Sequence, residues 1–148
     1  MTTETMRPTL RQMTIFDAAV AQGSVGAAAR RLGLSQPAVS HALAKLEAVI
    51  GTPLLTRGQG GSVASTAGTI LHRRVARMQQ QIREGIGAAA GGAYEATRLA
   101  NLATALTSTQ VRTHVAIAEH GAFRDAAAAL GISPPALHRT AHELERLV

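Results

Sequence analysis

Near the N-terminus, apolar positions recur at helical spacing in three consecutive stretches punctuated by glycine and serine. In "LRQMTIFDAAVAQG", Met13, Phe16, Ala19 and Val20 share one face, and Gly23 can end the helix in a left-handed conformation. A second helix is predicted from about Ser24 to Leu32, with small Ala27, Ala28 and Ala29 where another helix can approach, and Gly33 as its stop. Ser35 then acts as N-cap of a third helix, with Pro37 in the first turn, where a missing N–H breaks no intrahelical bond. Along it Ala38, Val39, Ala42, Leu43 and Leu46 face inward, which leaves Gln36, Ser40, His41 and Lys45 on a polar, basic outer face.

After the third helix the periodicity stops. In "LLTRGQGGSVAST", Leu54–Thr66, the glycines Gly58, Gly60 and Gly61 make a flexible tip beside Arg57, which can meet a phosphate. An ordinary solvated loop fits the same residues. A phosphate cradle of the P-loop kind does not, because no Lys-Ser/Thr pair follows at the required spacing. From Thr66 a long helix is predicted, with Leu71, Val75, Met78, Ile82 and Ile86 forming a coiled-coil-like seam. The seam can pair two subunits or pack on its own domain, with Arg73, Arg74, Arg77 and Arg83 as a solvated face. The glycines of "GAAAGGAY" then form a flexible join, and a further helix is expected from about Glu95.

The closing segment repeats the opening one at an offset of 98. Gly23, Ala28, Ala29, Leu32, Gly33, Ser35, Pro37, Ala38, Leu46 and Glu47 meet identical residues from Gly121 to Glu145 without a gap. We read this as an internal duplication of a three-helix unit. In the second copy, which begins near Thr107, Val111, Val115 and Ala118 take the apolar positions of the first helix. Phe123 and Ala126–Ala129 serve the second, and Ser133 caps the third. The expected division is therefore 1–66, a linker helix over 67–92, and 93–148.

Composition narrows the chemistry. The apolar content is mostly Ala, Leu, Val and Ile, with one Tyr, two Phe and no Trp, which favours close-packed short helices and a mainly α fold. Without cysteine there are no disulfides, thiol nucleophiles or thiolate metal sites. His138 and His142 lie four apart on a predicted helix, but no third ligand has suitable spacing, so neither a metal, a cofactor nor an enzyme is expected. No long apolar run or secretory signal is apparent, so a cytoplasmic protein without a membrane span is expected. The charge of +6 is concentrated: residues 1–90 carry ten Lys or Arg against four Asp or Glu, and 91–148 five of each. Such an excess attracts polyanions, either nucleic acid or an anionic membrane. The long helix carries no aromatic residue on its apolar face, which disfavours the membrane.

Two helices joined by a tight glycine turn, the second polar and basic near its start, fit a helix-turn-helix as well as a generic helix pair. For the former, Gln can pair bidentately with adenine, Ser can reach base edges or phosphate, and Lys can reach guanine or phosphate. At these residues, with "FDAAVAQGSVGAAARRLGLSQPAVSHALAKLEAVIGTPLLTR" and the later "STAG", the sequence resembles the N-terminal DNA-binding domain of the LysR-type transcriptional regulators, from Leu10 to roughly Ile86. The resemblance implies a winged helix-turn-helix that binds duplex DNA as a homodimer. Helix three would be the recognition helix, with Ser35, Gln36, Pro37, Ser40, His41 and Lys45 at or near the groove and Arg57 at a two-stranded wing. The linker helix would pair subunits through Leu71, Val75, Met78 and Ile82.

The second copy keeps the core pattern and changes the surface: Gln36 becomes Pro134, Ser40 His138, His41 Arg139 and Lys45 Glu143. The adenine-reading amide is gone, and the expectation is a helix-turn-helix-like unit without a wing that mainly packs or assembles. His138 and Arg139 remain its possible DNA contacts. A helical protein-interaction module that has lost specific DNA binding is the competing function. The resembling regulators continue into a large effector-binding domain for which 148 residues leave no room, so a small-molecule effector is not expected.

Overall fold

The computed structural model describes residues 7–148; the first six, part of the segment read for a secretory signal, lie outside the described residues. The fold is mainly helical: α1 Leu10–Gln22, α2 Val25–Leu32, α3 Gln36–Ile50, β1 Leu55–Gly58, β2 Gly61–Ala64, α4 Thr66–Ala89, α5 Ala96–Ala105, α6 Ser108–His120, α7 Phe123–Leu130 and α8 Pro134–Leu147. It divides into two compact units, Met1–Gln81 and Ile82–Val148, with the division inside α4.

In the first unit each helix starts on a side-chain cap. Thr9 and Gln12 form a reciprocal capping box at α1, while Ser24 and Ser35 accept from the Ala27 and Ala38 amides at α2 and α3. The core joins Ile15, Phe16, Ala18 and Ala19 of α1 to Ala28 and Ala29, to Val39, Leu43 and Leu46, and to Leu54. Ile15 and Ala18 widen the expected face of α1, whereas Ala38, expected inside, is exposed in the first turn of α3.

The wing is an antiparallel hairpin in which Leu55 faces Ala64 and Arg57 faces Ser62. Two anchors hold it. The Glu47 carboxylate accepts from the Leu54 and Leu55 amides at 2.7 and 3.1 Å, and the Ser62 amide donates to the Gly23 carbonyl at 2.8 Å. Glycine is required at two close approaches: a Cβ on Gly61 would lie 2.1 Å from the Gly23 oxygen, and one on Gly68 2.0 Å from the Leu54 oxygen. "STAG" therefore marks the place where α4 passes the segment leading into the wing.

Along α4, Leu71 packs against the first core and His72 Nδ1 lies 3.0 Å from Asp17 Oδ1. Val75 is only 1% exposed, and Met78 and Ile82 are half-buried. Within the single chain Val75 is thus withdrawn from solvent and Leu71 partly so, which leaves both roles of the seam open.

The second unit repeats the local devices. Thr107 and Gln110 rebuild the capping box at α6, Ser133 caps α8 through the Ala136 amide, and Gly121 and Gly131 close α6 and α7. Its core is smaller: Ala116, Ala126, Ala127 and Leu137, flanked by Ile117, Phe123 and Leu130. Val115 is 45% exposed and Ala118, Ala128 and Ala129 are also exposed, against expectation. The face of α6 that turns inward carries Thr113 and Ala116, and Val115 occupies the position of Asp17, which in the first unit lies outside the core beside His72 of α4. Among the described residues no strand follows Ala64.

Candidate nucleic-acid interface

Because Val39, Leu43 and Leu46 lock one face of α3 into the core, the opposite face is fixed toward solvent, and Gln36, Pro37, Ser40, His41 and Lys45 are all exposed on it. Ser35 is exposed as well, but its hydroxyl is engaged in capping, so any contact from it would share that oxygen.

The α3 face, the start of α2 and the wing meet around a shallow cleft of about 350 Å³, lined by Gln36 and Ser40, by Ser24 to Gly26, and by Arg57, Gly58, Gly61 and Ser62. A Cβ on Gly26 would lie 3.4 Å from Gln36 Oε1, so the carboxamide lies close over the first turn of α2. The cleft holds one cation and no acidic side chain, beside the positive end of α2. Such a site offers hydrogen bonds and positive potential to an anionic backbone, with an amide that can read a base edge. His41 and Lys45 lie farther along α3, outside the cleft lining.

Ser24, Gly26 and Ser62 escaped the sequence reading. Ser24 carried a readable signal, a serine directly after Gly23 and before an apolar helix. Ser62 carried none, since its place depends on a hydrogen bond to Gly23, 39 positions earlier.

The same region of the second unit is built differently. Phe123 stands where Val25 does, and its ring stacks on His138 with centroids 4.3 Å apart and planes 13° from parallel. The His138 ring thus stacks on α7, although His138, like Arg139, is exposed. Arg124 replaces Gly26 and Pro134 replaces Gln36, so the amide and the small residue beneath it are lost together. His142 Nδ1 lies 2.9 Å from Glu145 Oε2, and no group of three metal-ligating side chains occurs among the described residues. Nor, among those residues, is any helix long and apolar enough to cross a membrane.

Comparison with known proteins agrees with this geometry. The family model described as "Bacterial regulatory helix-turn-helix protein, lysR family" matches residues 10–69 and again 108–148, both copies of the repeat. An uncharacterized HTH-type transcriptional regulator of Mycobacterium tuberculosis is 42% identical over 83 residues, 54% of this chain and 27% of that protein. The HTH-type transcriptional regulator TdcA of Escherichia coli is 30% identical over 89 residues, 60% of this chain and 28% of its own length. The chain thus spans about a quarter of the length of the curated relatives it matches. Among solved structures, the CbnR_DBD-DNA complex is similar with a TM-score of 0.53 and 29% identity, covering 57% of this chain and 98% of that one.

Proposed function

Since this chain belongs to the lysR family of bacterial regulatory helix-turn-helix proteins, we propose that its first unit reads duplex DNA in a sequence-specific manner, with α3 in the major groove. Gln36, Ser40 and His41 face base edges, with Pro37 and Ser35 at the mouth of the groove. Lys45 contacts guanine or phosphate, and Arg57 meets phosphate from the wing. The observation that carries this reading is the shared cleft: Gln36, Ser40 and Arg57 open on one surface without a carboxylate. The similarity to a domain solved on DNA supports it.

In this reading the protein acts as a homodimer, placing two copies of α3 on a pseudo-palindrome whose half-sites lie one helical turn or a multiple apart. Pairing rests on α4 around Leu71, Met78 and Ile82, the half-exposed members of the seam, together with Ile70, 52% exposed. The second unit packs or assembles instead of reading bases. Division into a DNA-binding domain over 1–66, a linker over 67–92 and a second unit over 93–148 belongs to the same proposal, as does a regulator working in the cytoplasm.

The test is selection from a pool of random duplexes, repeated at raised salt. A dyad-symmetric motif is expected, with Gln36→Ala weakening binding to it by about 1–3 kcal/mol. Weak binding without a motif, lost in salt, would instead favour an interaction module that has given up specific recognition.

A further inference from the structure

Of the four arginines that the sequence places on a solvated face of α4, Arg73, Arg74 and Arg77 are exposed, while Arg83 is half-buried. Leu71 packs against the first core, His72 lies beside Asp17 of α1, and Val75 is buried. At about 100° per residue, the three exposed arginines centre on the opposite side of the helix. Arg73 and Arg77 stand one turn apart, about 6 Å along the axis, with Arg74 between them.

The charge of this face is unbalanced. Glu84 is the single acid of α4 and lies two turns beyond Arg77. Among the described residues none of the three arginines is held by a carboxylate, and the ion pairs of Asp17 and Glu145 are both with histidines. No matching acidic stretch is found on a second copy either: among the described residues, exposed Glu95, Glu119, Asp125 and Glu143 each have an arginine or histidine within four positions. Nor does the face belong to the cleft of Gln36 and Arg57, since no α4 residue lines it.

We propose that Arg73, Arg74 and Arg77 dock an acidic helix of another protein, one that carries carboxylates at i, i+3 and i+4. Charge complementarity selects this partner. All three cations are guanidiniums, which meet carboxylates bidentately where an ammonium acts as a point charge. Carboxylates three and four positions apart share one face of a helix and so repeat at the spacing of the arginines themselves. Because the face points away from the side of α4 that packs on the first unit, it stays accessible while the first unit holds its own ligand. The inference does not depend on DNA binding.

The test uses the full chain and a fluorescent, capped peptide of about 18 residues, long enough to hold a helix, built from alanine with glutamates at that spacing. Anisotropy should show saturable binding that weakens as salt rises. The triple variant Arg73→Gln/Arg74→Gln/Arg77→Gln, which keeps good helix formers at exposed positions, should weaken the peptide about tenfold. Removing the same charge from exposed sites of the second unit, in Arg112→Gln/Arg124→Gln/Arg139→Gln, should change affinity by less than about twofold. A peptide with glutamine in place of glutamate should not bind, and a saturating duplex should not displace the acidic one. The proposal is overturned by the absence of saturable binding at low salt, or by equal losses from the two triple variants, which would mark attraction to net charge alone. Displacement of the peptide by duplex, with a lower salt slope for duplex binding in the α4 variant, would make the face a DNA contact instead. Loss of self-association in that variant, read by sedimentation, would assign the face to a second copy.

Discussion

The two units keep the same backbone punctuation and differ in what they do with it. Both open with a Thr-x-x-Gln capping box, turn on glycines 98 positions apart, and start the last helix from serine with proline in its first turn. In the first, the segment after α3 adds Leu54 to the core and packs Leu55 and Leu71 against it, and that core is the larger of the two. The comparison separates two layers of information. Caps and turns are local and survive duplication intact. The core and the polar face depend on residues far along the chain, and both diverge where that support differs.

The largest expected contrast lies at Phe16 and His114. Phe16→Ala should cost about 3–5 kcal/mol, because it empties a fully buried site among α1, α3 and Leu54. His114→Ala, at an exposed site, should change stability by less than about 0.5 kcal/mol. Hydrogen exchange read separately on the two units checks both. Comparable losses would mean that His114 is packed as its counterpart is. A smaller contrast belongs to the glutamates: Glu47→Ala removes the acceptor of two amides and should cost about 1.5–3 kcal/mol in the first unit. Glu145→Ala breaks only an exposed pair with His142 and should stay within about 0.5 kcal/mol.

A contrast of similar size is expected on DNA. Gln36→Ala should weaken a selected duplex by about 1–3 kcal/mol. Arg139→Ala should weaken it less, since Pro134 and the stacked His138 leave no reading amide beside that arginine. Equal losses from both variants in one binding titration would end the division of labour between the copies.

Much of this was legible in the residues. Serine caps, glycine stops and the apolar rhythm of α3 dictate three helices and expose Gln36, Ser40, His41 and Lys45 as a set. Arg57 was legible as part of a glycine-tipped hairpin. Its position next to Ser24 and Gly26 was not, because the Ser62–Gly23 hydrogen bond that folds the wing back has no local signature. The α4 seam left its partner open for a related reason: the spacing of Leu71 and Val75 says that they are apolar on one face, not what covers it. Val115 misled because an apolar residue can stand at a solvent position, and only the packing of Thr113 and Ala116 shows which face of α6 is inside.

The smallest effect bears most directly on how the copies diverged. Ser24 caps α2 by accepting from the Ala27 amide, whereas its counterpart Ala122 offers no side-chain acceptor to α7. Ser24→Ala should therefore cost about 1 kcal/mol, and Ala122→Ser should stabilise the second unit, but by less. The reason for the shortfall is Asp125, which replaces Ala27 in the first turn of α7 and sets a negative charge against the positive end of the helix. Thermal melts of the single and double variants decide the matter. If Ala122→Ser gains no more in Asp125→Asn than in the parent chain, Asp125 does not stand in for the lost cap. If it gains more, the second copy replaced a hydrogen bond with a charge.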